Sequence, residues 1–306
     1  VMVASDRITV LKQGKVVCRT VPSATDTETL SKVMVGREMG QRFKKAVSRG
    51  DTIARITSVQ LLGTEKNKKL VDLDLVVQRG EMVGIAGIEG NGQEELAEIL
   101  SGLRVPDAGT VVLPDEVGFI PDDRGGQAVI GHFSILENIA LGLVNDRQFR
   151  FGPAMLWVKI GQYVKELILS YGIRSEGPHE QVRHLSGGNQ QKVVLARELQ
   201  RSEDLLVARN PTQGLDVRAS RDFYQQISRF LGRGVETDGA GQPGGVVLIS
   251  SDLDEILRFS DEIYVLYDGS LISVNREQAS RGLVGRLMLT GDREDEALLV
   301  EEDSGS

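Results

Sequence analysis

The apolar run Met82-Val83-Gly84-Ile85-Ala86 leads straight into Gly87-Ile88-Glu89-Gly90-Asn91-Gly92, and Leu96, Ile99, Leu100 and Leu103 follow. No other segment constrains the chain as much. A short unbroken apolar run reads as a strand buried on both faces. Spacing of i, i+3, i+4 and i+7 reads as the inward face of an amphipathic helix, with Gly102 near its end. Strand, glycine loop and helix in direct succession call for an α/β fold built on a parallel sheet.

The rest of the chain extends this rhythm. Residues 56–61 and 70–77 read as strands, with a turn at Gly80-Glu81, and further strands are expected at 117–120, 205–208, 246–249 and 263–266. Phe223, Ile227, Phe230 and Leu231 mark a helix between two of them. Residues 133–200 carry helical pattern with almost no strand signal and read as an inserted helical subdomain. Six glycines within 232–245 read as a flexible loop.

Two distant segments share a pattern. Ser5-Asp6-Arg7-Ile8-Thr9-Val10-Leu11-Lys12-Gln13-Gly14 and Ser260-Asp261-Glu262-Ile263-Tyr264-Val265-Leu266-Tyr267-Asp268-Gly269 agree at Ser, Asp, Ile, Val, Leu and Gly. Val33-Met34-Val35-Gly36 and Leu287-Met288-Leu289-Thr290-Gly291 follow at nearly equal spacing. A shared unit explains both matches better than a generic strand-turn signal. On this reading residues 1–36 end one copy and 53–290 form a second. Between them 37–52, with Arg37, Arg42, Lys44, Lys45 and Arg49, is a linker, though a solvated basic helix fits the same residues. The acid-rich 291–306 is expected to be a solvated, poorly ordered tail.

Charge and composition exclude other classes. The 36 Lys and Arg against 44 Asp and Glu leave a net charge of −8, with the cations scattered, so nucleic acid is not expected as a partner. The single cysteine, Cys18, cannot close an internal disulfide, and a reducing, cytoplasmic setting is expected. No stretch reaches 18 apolar residues and the first residues lack the zones of a signal peptide, so the chain is expected neither to span a membrane nor to be exported. His132, His179 and His184 have no ligand spacing and read as surface or loop residues, and Phe151 and Trp157 read as core or partner contacts.

Gly87, Gly90, Asn91 and Gly92 keep the glycine spacing of a phosphate loop, GxxxxGK followed by Ser or Thr. Its amides and the helix dipole suit an anion. Its side chains do not, because Gln93 stands at the lysine position and Glu94 at the hydroxyl that would hold Mg²⁺. Taken alone, this loop is as well explained as a glycine turn at a strand-helix junction. Downstream, Leu185-Ser186-Gly187-Gly188-Asn189-Gln190-Gln191-Lys192 closely resembles the LSGGQ signature of ATP-binding cassettes, with Ser186 and the amides at Gly187 and Gly188 opening a helix toward a phosphate.

Leu205-Leu206-Val207-Ala208-Arg209-Asn210-Pro211-Thr212-Gln213-Gly214-Leu215-Asp216 resembles the Walker B strand and the D-loop, which ends at Asp216. Arg209 takes the place of the acid that holds Mg²⁺, and Asn210 that of the glutamate that polarises water. Ser251 stands at the switch histidine, Asp122 at the Q-loop glutamine, and no aromatic residue lies between Phe43 and Phe119 to stack on adenine. Loss of the lysine and the metal ligands removes the electrostatic stabilisation that phosphoryl transfer depends on, so no useful hydrolysis is expected at this site. Arg209 and Glu94 are expected to face each other as a salt bridge that plugs the loop, unless Arg209 replaces the lysine charge and holds ATP without metal. The plug is favoured, because a carboxylate beside a cation needs no ligand.

Together with Phe119-Ile120-Pro121-Asp122-Asp123-Arg124 and Ser134-Ile135-Leu136-Glu137-Asn138, these motifs make residues 53–290 resemble the second cassette of the tandem ATPase subunits of bacterial simple-sugar and nucleoside importers. Loss of both Walker B acids is most like the nucleoside branch. The long glycine loop and the missing first cassette depart from the pattern. The resemblance implies a P-loop-type parallel sheet with an antiparallel β subdomain and a helical insert. It also implies an asymmetric pair, in which Ser186, Gly187, Gly188, Asn189 and Gln190 complete the site of a second cassette with intact Walker motifs. ATP would be shared with that partner, with Mg²⁺ at the partner's site only. The remaining partners implied are membrane permease subunits, reached through the helical insert at the inner face of the cell membrane, and indirectly a substrate-binding protein or lipoprotein. A regulatory or scaffold protein that keeps the fold alone, or an inert remnant, is the competing class. An RNA-associated cassette of the translation machinery ranks below both, since its basic arms are absent.

Overall fold

In the computed structural model, residues 5–12, 15–25, 29, 49–63, 68–202, 204–233 and 242–292 are described. Most of the linker 37–52, the centre of the 232–245 loop, Met34, and the tail beyond Asp292 lie outside the described residues.

A hairpin of β1 (Ile8–Lys12) and β2 (Lys15–Thr20) comes first, with Ile8 and Val10 buried against Cys18. There follow β3 (Thr52–Leu62), β4 (Lys68–Gln78), β5 (Met82–Gly87), α1 (Gln93–Leu100), β6 (Ala108–Val112) and β7 (Val117–Ile120). The insert holds α2 (Ile135–Ala140), the two-residue strands β8 (Arg150–Phe151) and β9 (Ala154–Met155), and α3 (Trp157–Ser170). It returns through α4 (Gly187–Arg201) to β10 (Leu205–Arg209), and then α5 (Val217–Leu231), β11 (Gly245–Ser250), α6 (Leu253–Phe259), β12 (Glu262–Tyr267), β13 (Ser270–Val274) and α7 (Arg281–Thr290) complete the order.

The main sheet runs β13-β12-β5-β11-β10-β7, parallel except for the β12–β13 hairpin, and β4-β3-β6 form a separate antiparallel sheet. Every residue of β5 is buried, as its unbroken apolar run requires. One apolar cluster fills the space between the antiparallel sheet, α1 and one face of the main sheet. A second cluster joins the other face to α2, α3, α4 and α5, so the insert shares its core with the sheet.

Three expectations are corrected. The first helix stops at Leu100 and Leu103 is exposed, because Gly102 at φ 74° turns the chain. Leu103 N–H then bonds Glu98 O at 2.8 Å and Gly102 N–H bonds Ile99 O at 3.1 Å, a Schellman end. The insert contains the β8–β9 hairpin, too short to leave a periodicity signal. Phe151 and Trp157, read as core or partner contacts, are 81% and 52% exposed, which removes the first alternative and leaves the second. All three histidines are exposed.

Candidate functional site

In an open parallel sheet, the loops that leave the carboxyl ends of neighbouring strands converge where the strand order reverses direction. Here the chain leaves β5 for β7, returns through β10 and β11, and crosses β5 to reach β12. The loops after β5, β7, β10 and β11 therefore meet. They bring Gly87, Gly90, Gly92, Gln93 and Glu94 together with Asp122, Arg209, Asn210 and Ser251 around one cavity of about 310 Å³.

The loop after β5 keeps the backbone of an anion cradle. Gly90 and Gly92 have φ of 97° and 104°, a region closed to most side chains. A Cβ on Gly92 would also lie 2.8 Å from Lys69 O. Asn91 pins the loop to the β12–β13 turn, its Oδ1 accepting from Asp268 N–H at 3.2 Å and its carbonyl from Gly269 N–H at 3.2 Å. Gln93 is buried and folds back across the loop. Its Nε2 donates to Ile88 O and its Oε1 accepts from Asn91 N–H at 3.1 Å. The amide thus crosslinks the loop, donating at one end and accepting at the other, which a lysine, a donor only, could not do.

Across the cavity, Arg209 ends β10 with its side chain only 12% exposed. One guanidinium nitrogen lies 3.7 Å from Glu94 Oε2, and another donates to Asp122 Oδ1. Asp122 is the tighter partner, a pairing that the sequence motifs do not announce. The signal was available, since two sites expected to carry an amide and an acid carry an acid and a cation instead. The Arg209 Nε is buried without a hydrogen-bond partner among the described residues. Asn210 adopts φ 41°, and its Oδ1 accepts from Ser251 N–H at 3.0 Å and Ser251 Oγ at 3.4 Å. Lys69 pairs with Glu95 at 2.9 Å. The cavity therefore presents Glu89, Glu94, Glu95 and Asp122 against two cations that are already engaged, and among the described residues no aromatic ring lines it.

The segment 186–190 does not line this cavity. Ser186 is the exposed N-cap of α4, and its Oγ accepts from Asn189 Nδ2 at 2.9 Å. Asn189 Oδ1 accepts from Arg174 N–H at 2.9 Å, and Gln190 Nε2 donates to Val182 O and Leu185 O at 3.1 and 3.2 Å. A Cβ on Gly187 would meet nothing within 4 Å, so the face above the helix end is open. On Gly188 it would lie 3.1 Å from the Ala219 Cβ. Asp216 caps α5, accepting from Ala219 N–H at 2.8 Å.

Beside the cavity lies a polar cluster that the motifs do not announce. Buried Glu255 accepts from Thr212 Oγ1 and from Ser250 Oγ at 2.8 Å, and Tyr224 stacks on Phe259 at 3.6 Å between centroids. Burial pushes the Glu255 carboxyl above its ordinary value despite the two donated hydrogen bonds. A carboxyl raised in the folded state adds stability that is fully present below its unfolded pKa, near 4.3, and is lost as pH rises through the folded value. Glu255→Gln is therefore expected to remove a loss of stability in a window that opens at about pH 4, the ordinary carboxyl value, and extends upward from it. Urea midpoints across that window, wild type against variant, measure it. Parallel pH profiles would show that Glu255 titrates normally.

The sequence profile of the ABC transporter family matches residues 70–213. The guanosine import ATP-binding protein NupO of Bacillus subtilis is 34% identical over 95% of this chain. The ribose import ATP-binding protein RbsA 2 of Rubrobacter xylanophilus is 35% identical over 98% of it, and the nucleoside import ATP-binding protein NupA of Lactococcus lactis 32% over 94%. The chain spans 58% of the length of each of these relatives. Among solved structures, a dimeric ATP-binding cassette in a post-hydrolysis state with ADP and Pi aligns with a TM-score of 0.60 at 24% identity, covering 73% of this chain and 99% of that one. The ATP-binding subunit of an ABC transporter aligns at 0.62 and 17%, covering 78% and 100%, a likeness of fold.

Proposed function

The chain carries an ATP-binding cassette of the ABC transporter family, and on that premise we propose that it is part of the nucleotide-binding subunit of an importer for nucleosides or simple sugars, with its own phosphate site out of use. The observation that carries this is Arg209. It brings a guanidinium to the position of a metal-binding acid, against Asp122 and Glu94. The residues present do not fit a magnesium–triphosphate. The cavity is rich in carboxylates, its cations are engaged, and Gln93 closes the loop. A further phosphate charge would have to displace Arg209 from Asp122.

The cassette's remaining contribution is the segment from Ser186 to Gln190, offered across a dimer interface to a second cassette with intact Walker motifs, where ATP and Mg²⁺ are bound. The open space above Gly187 and the exposed Ser186 support this. Permease subunits on the inner face of the membrane are the proposed partners of the helical insert, with a substrate-binding protein or lipoprotein further out. Residues 53–290 are read as one cassette. Residues 1–36 are read as the end of another, supported by the β1–β2 hairpin, which repeats the β12–β13 hairpin at the matching sequence.

The test measures Mg·ATP hydrolysis by an intact first cassette of a related importer, alone and with this chain. Addition is expected to raise turnover, and Ser186→Arg is expected to remove the gain, about 100-fold if the segment acts as a preorganised donor set. No gain on mixing, or ordinary turnover by this chain alone, would overturn the proposal.

A further inference from the structure

Arg209 does more than oppose a metal. Residues 121–133 are one of the two covalent links between the main sheet and the helical insert, the other being α4. This link leaves β7, passes Asp122, winds through a short π turn at Arg124–Ala128 and reaches Ser134, the cap of α2. It is hydrogen-bonded at two points. Asp123 Oδ1 accepts from Gly126 N–H at 3.0 Å. Fully buried Asn138 takes both backbone groups of Ile130, accepting from its N–H at 2.9 Å and donating to its carbonyl at 3.1 Å. A hydrogen-bonded link thus joins Asp122 to the start of α2, which is also tied to Pro178 and Glu180.

Asp122 is held by Arg209, at the end of the strand next to β7. Had a bound metal been the cation here, that hold would come and go with the ligand. A guanidinium built into β10 is always present. Two further ties flank it, from Gln191 Nε2 to Pro211 O at 2.7 Å and from Phe119 N–H to Glu198 Oε2 at 3.1 Å. Neither involves a ligand. A mostly buried charge pair is costly to open on one side, because each ion left behind is incompletely solvated.

We propose that Arg209 is a positioning residue, a tethered cation that holds Asp122 and, through the 121–133 link, keeps the helical insert in one arrangement whether or not nucleotide is present. This cassette would then be the fixed jaw of a pair whose other member moves. The inference rests on the proposed loss of nucleotide from this site, and the two fail in different measurements.

The experiment is amide hydrogen exchange on the full chain, with and without Mg·ATP, following peptides from 121–133 and, as a control for folding, from β5 and β10. In the wild type the 121–133 amides are expected to be protected equally in both conditions. Asp122→Asn, which keeps an acceptor but removes its charge, is expected to speed their exchange about tenfold, the scale on which a charge-assisted hydrogen bond exceeds a neutral one, while β5 stays protected. The exchanged pair Arg209→Asp with Asp122→Arg is expected to restore protection, which a simple packing role would not do. Arg209→Met is expected to speed exchange at 121–133 as Asp122→Asn does; should it lose β5 protection as well, Asp122→Asn and the exchanged pair still decide. Equal exchange in wild type and Asp122→Asn, no recovery in the exchanged pair, or a change on adding Mg·ATP to the wild type would each overturn the tether. Equilibrium dialysis separates the two proposals. Mg·ATP bound by the wild type with 121–133 unchanged would remove the vacated-site reading and leave the tether standing.

Discussion

Arg209→Glu is expected to lower the free energy of unfolding by about 3 kcal/mol, the lower end of the scale for stripping one partner from a buried ion pair, since both side chains keep some exposure. The side chains of Arg209 and Asp122 are 12% and 20% exposed, so solvent rescues neither carboxylate once both carry the same sign. Glu94 adds less, since it is 55% exposed and 3.7 Å away, and its share is discounted for screening. Urea unfolding at neutral pH measures the loss. Because the pair sits beneath the surface, raising salt should recover only a fraction of it. A loss below about 1 kcal/mol would mean that Asp122 and Arg209 behave as a surface pair, and would weaken both the vacated site and the tether.

Phe230→Ala is expected to cost about 4 kcal/mol by leaving a cavity where α5 meets the start of β11. The ring is 1% exposed and lies under the Arg233 guanidinium at 4.7 Å. It also abuts the chain entering β11, where a Cβ on Gly244 would sit 2.2 Å from ring atoms. Truncation therefore removes the wedge that sets how β11 enters the sheet, and the far end of that strand carries Ser250 and the turn to Ser251. In a chain of this size the change should lower the melting temperature by roughly 10 °C. A shift of only one or two degrees would show that the neighbouring chain collapses into the space.

The strands around the site were legible because each is a short apolar run buried on both faces, as in Met82 to Ala86 and Val246 to Ile249, and such runs announce themselves without their neighbours. The loop after β5 was legible from its glycines, which need φ values closed to other residues. What the sequence hid were contacts made by single side chains. Gln93 reads as a lost lysine, and nothing in its local pattern says that its amide turns back onto Ile88 and Asn91. Glu255 reads as an ordinary residue early in a helix, yet Thr212 and Ser250 converge on it from two other elements. Leu103 fitted the helical period and fell outside it, because the Gly102 turn overrides periodicity at a helix end.

By itself the amino-acid order determined the alternation of strands and helices, the backbone of the phosphate loop, and which charges are missing from it. These are local properties, set by burial period and by the φ values that glycine alone adopts freely. Only the tertiary structure decided where the replacing charges go. Asp122 and Arg209 are 87 residues apart in sequence, and they meet because β7 and β10 lie side by side with their carboxyl ends together. Strand order in the sheet, a property of the whole core, turned two separate substitutions into one ion pair.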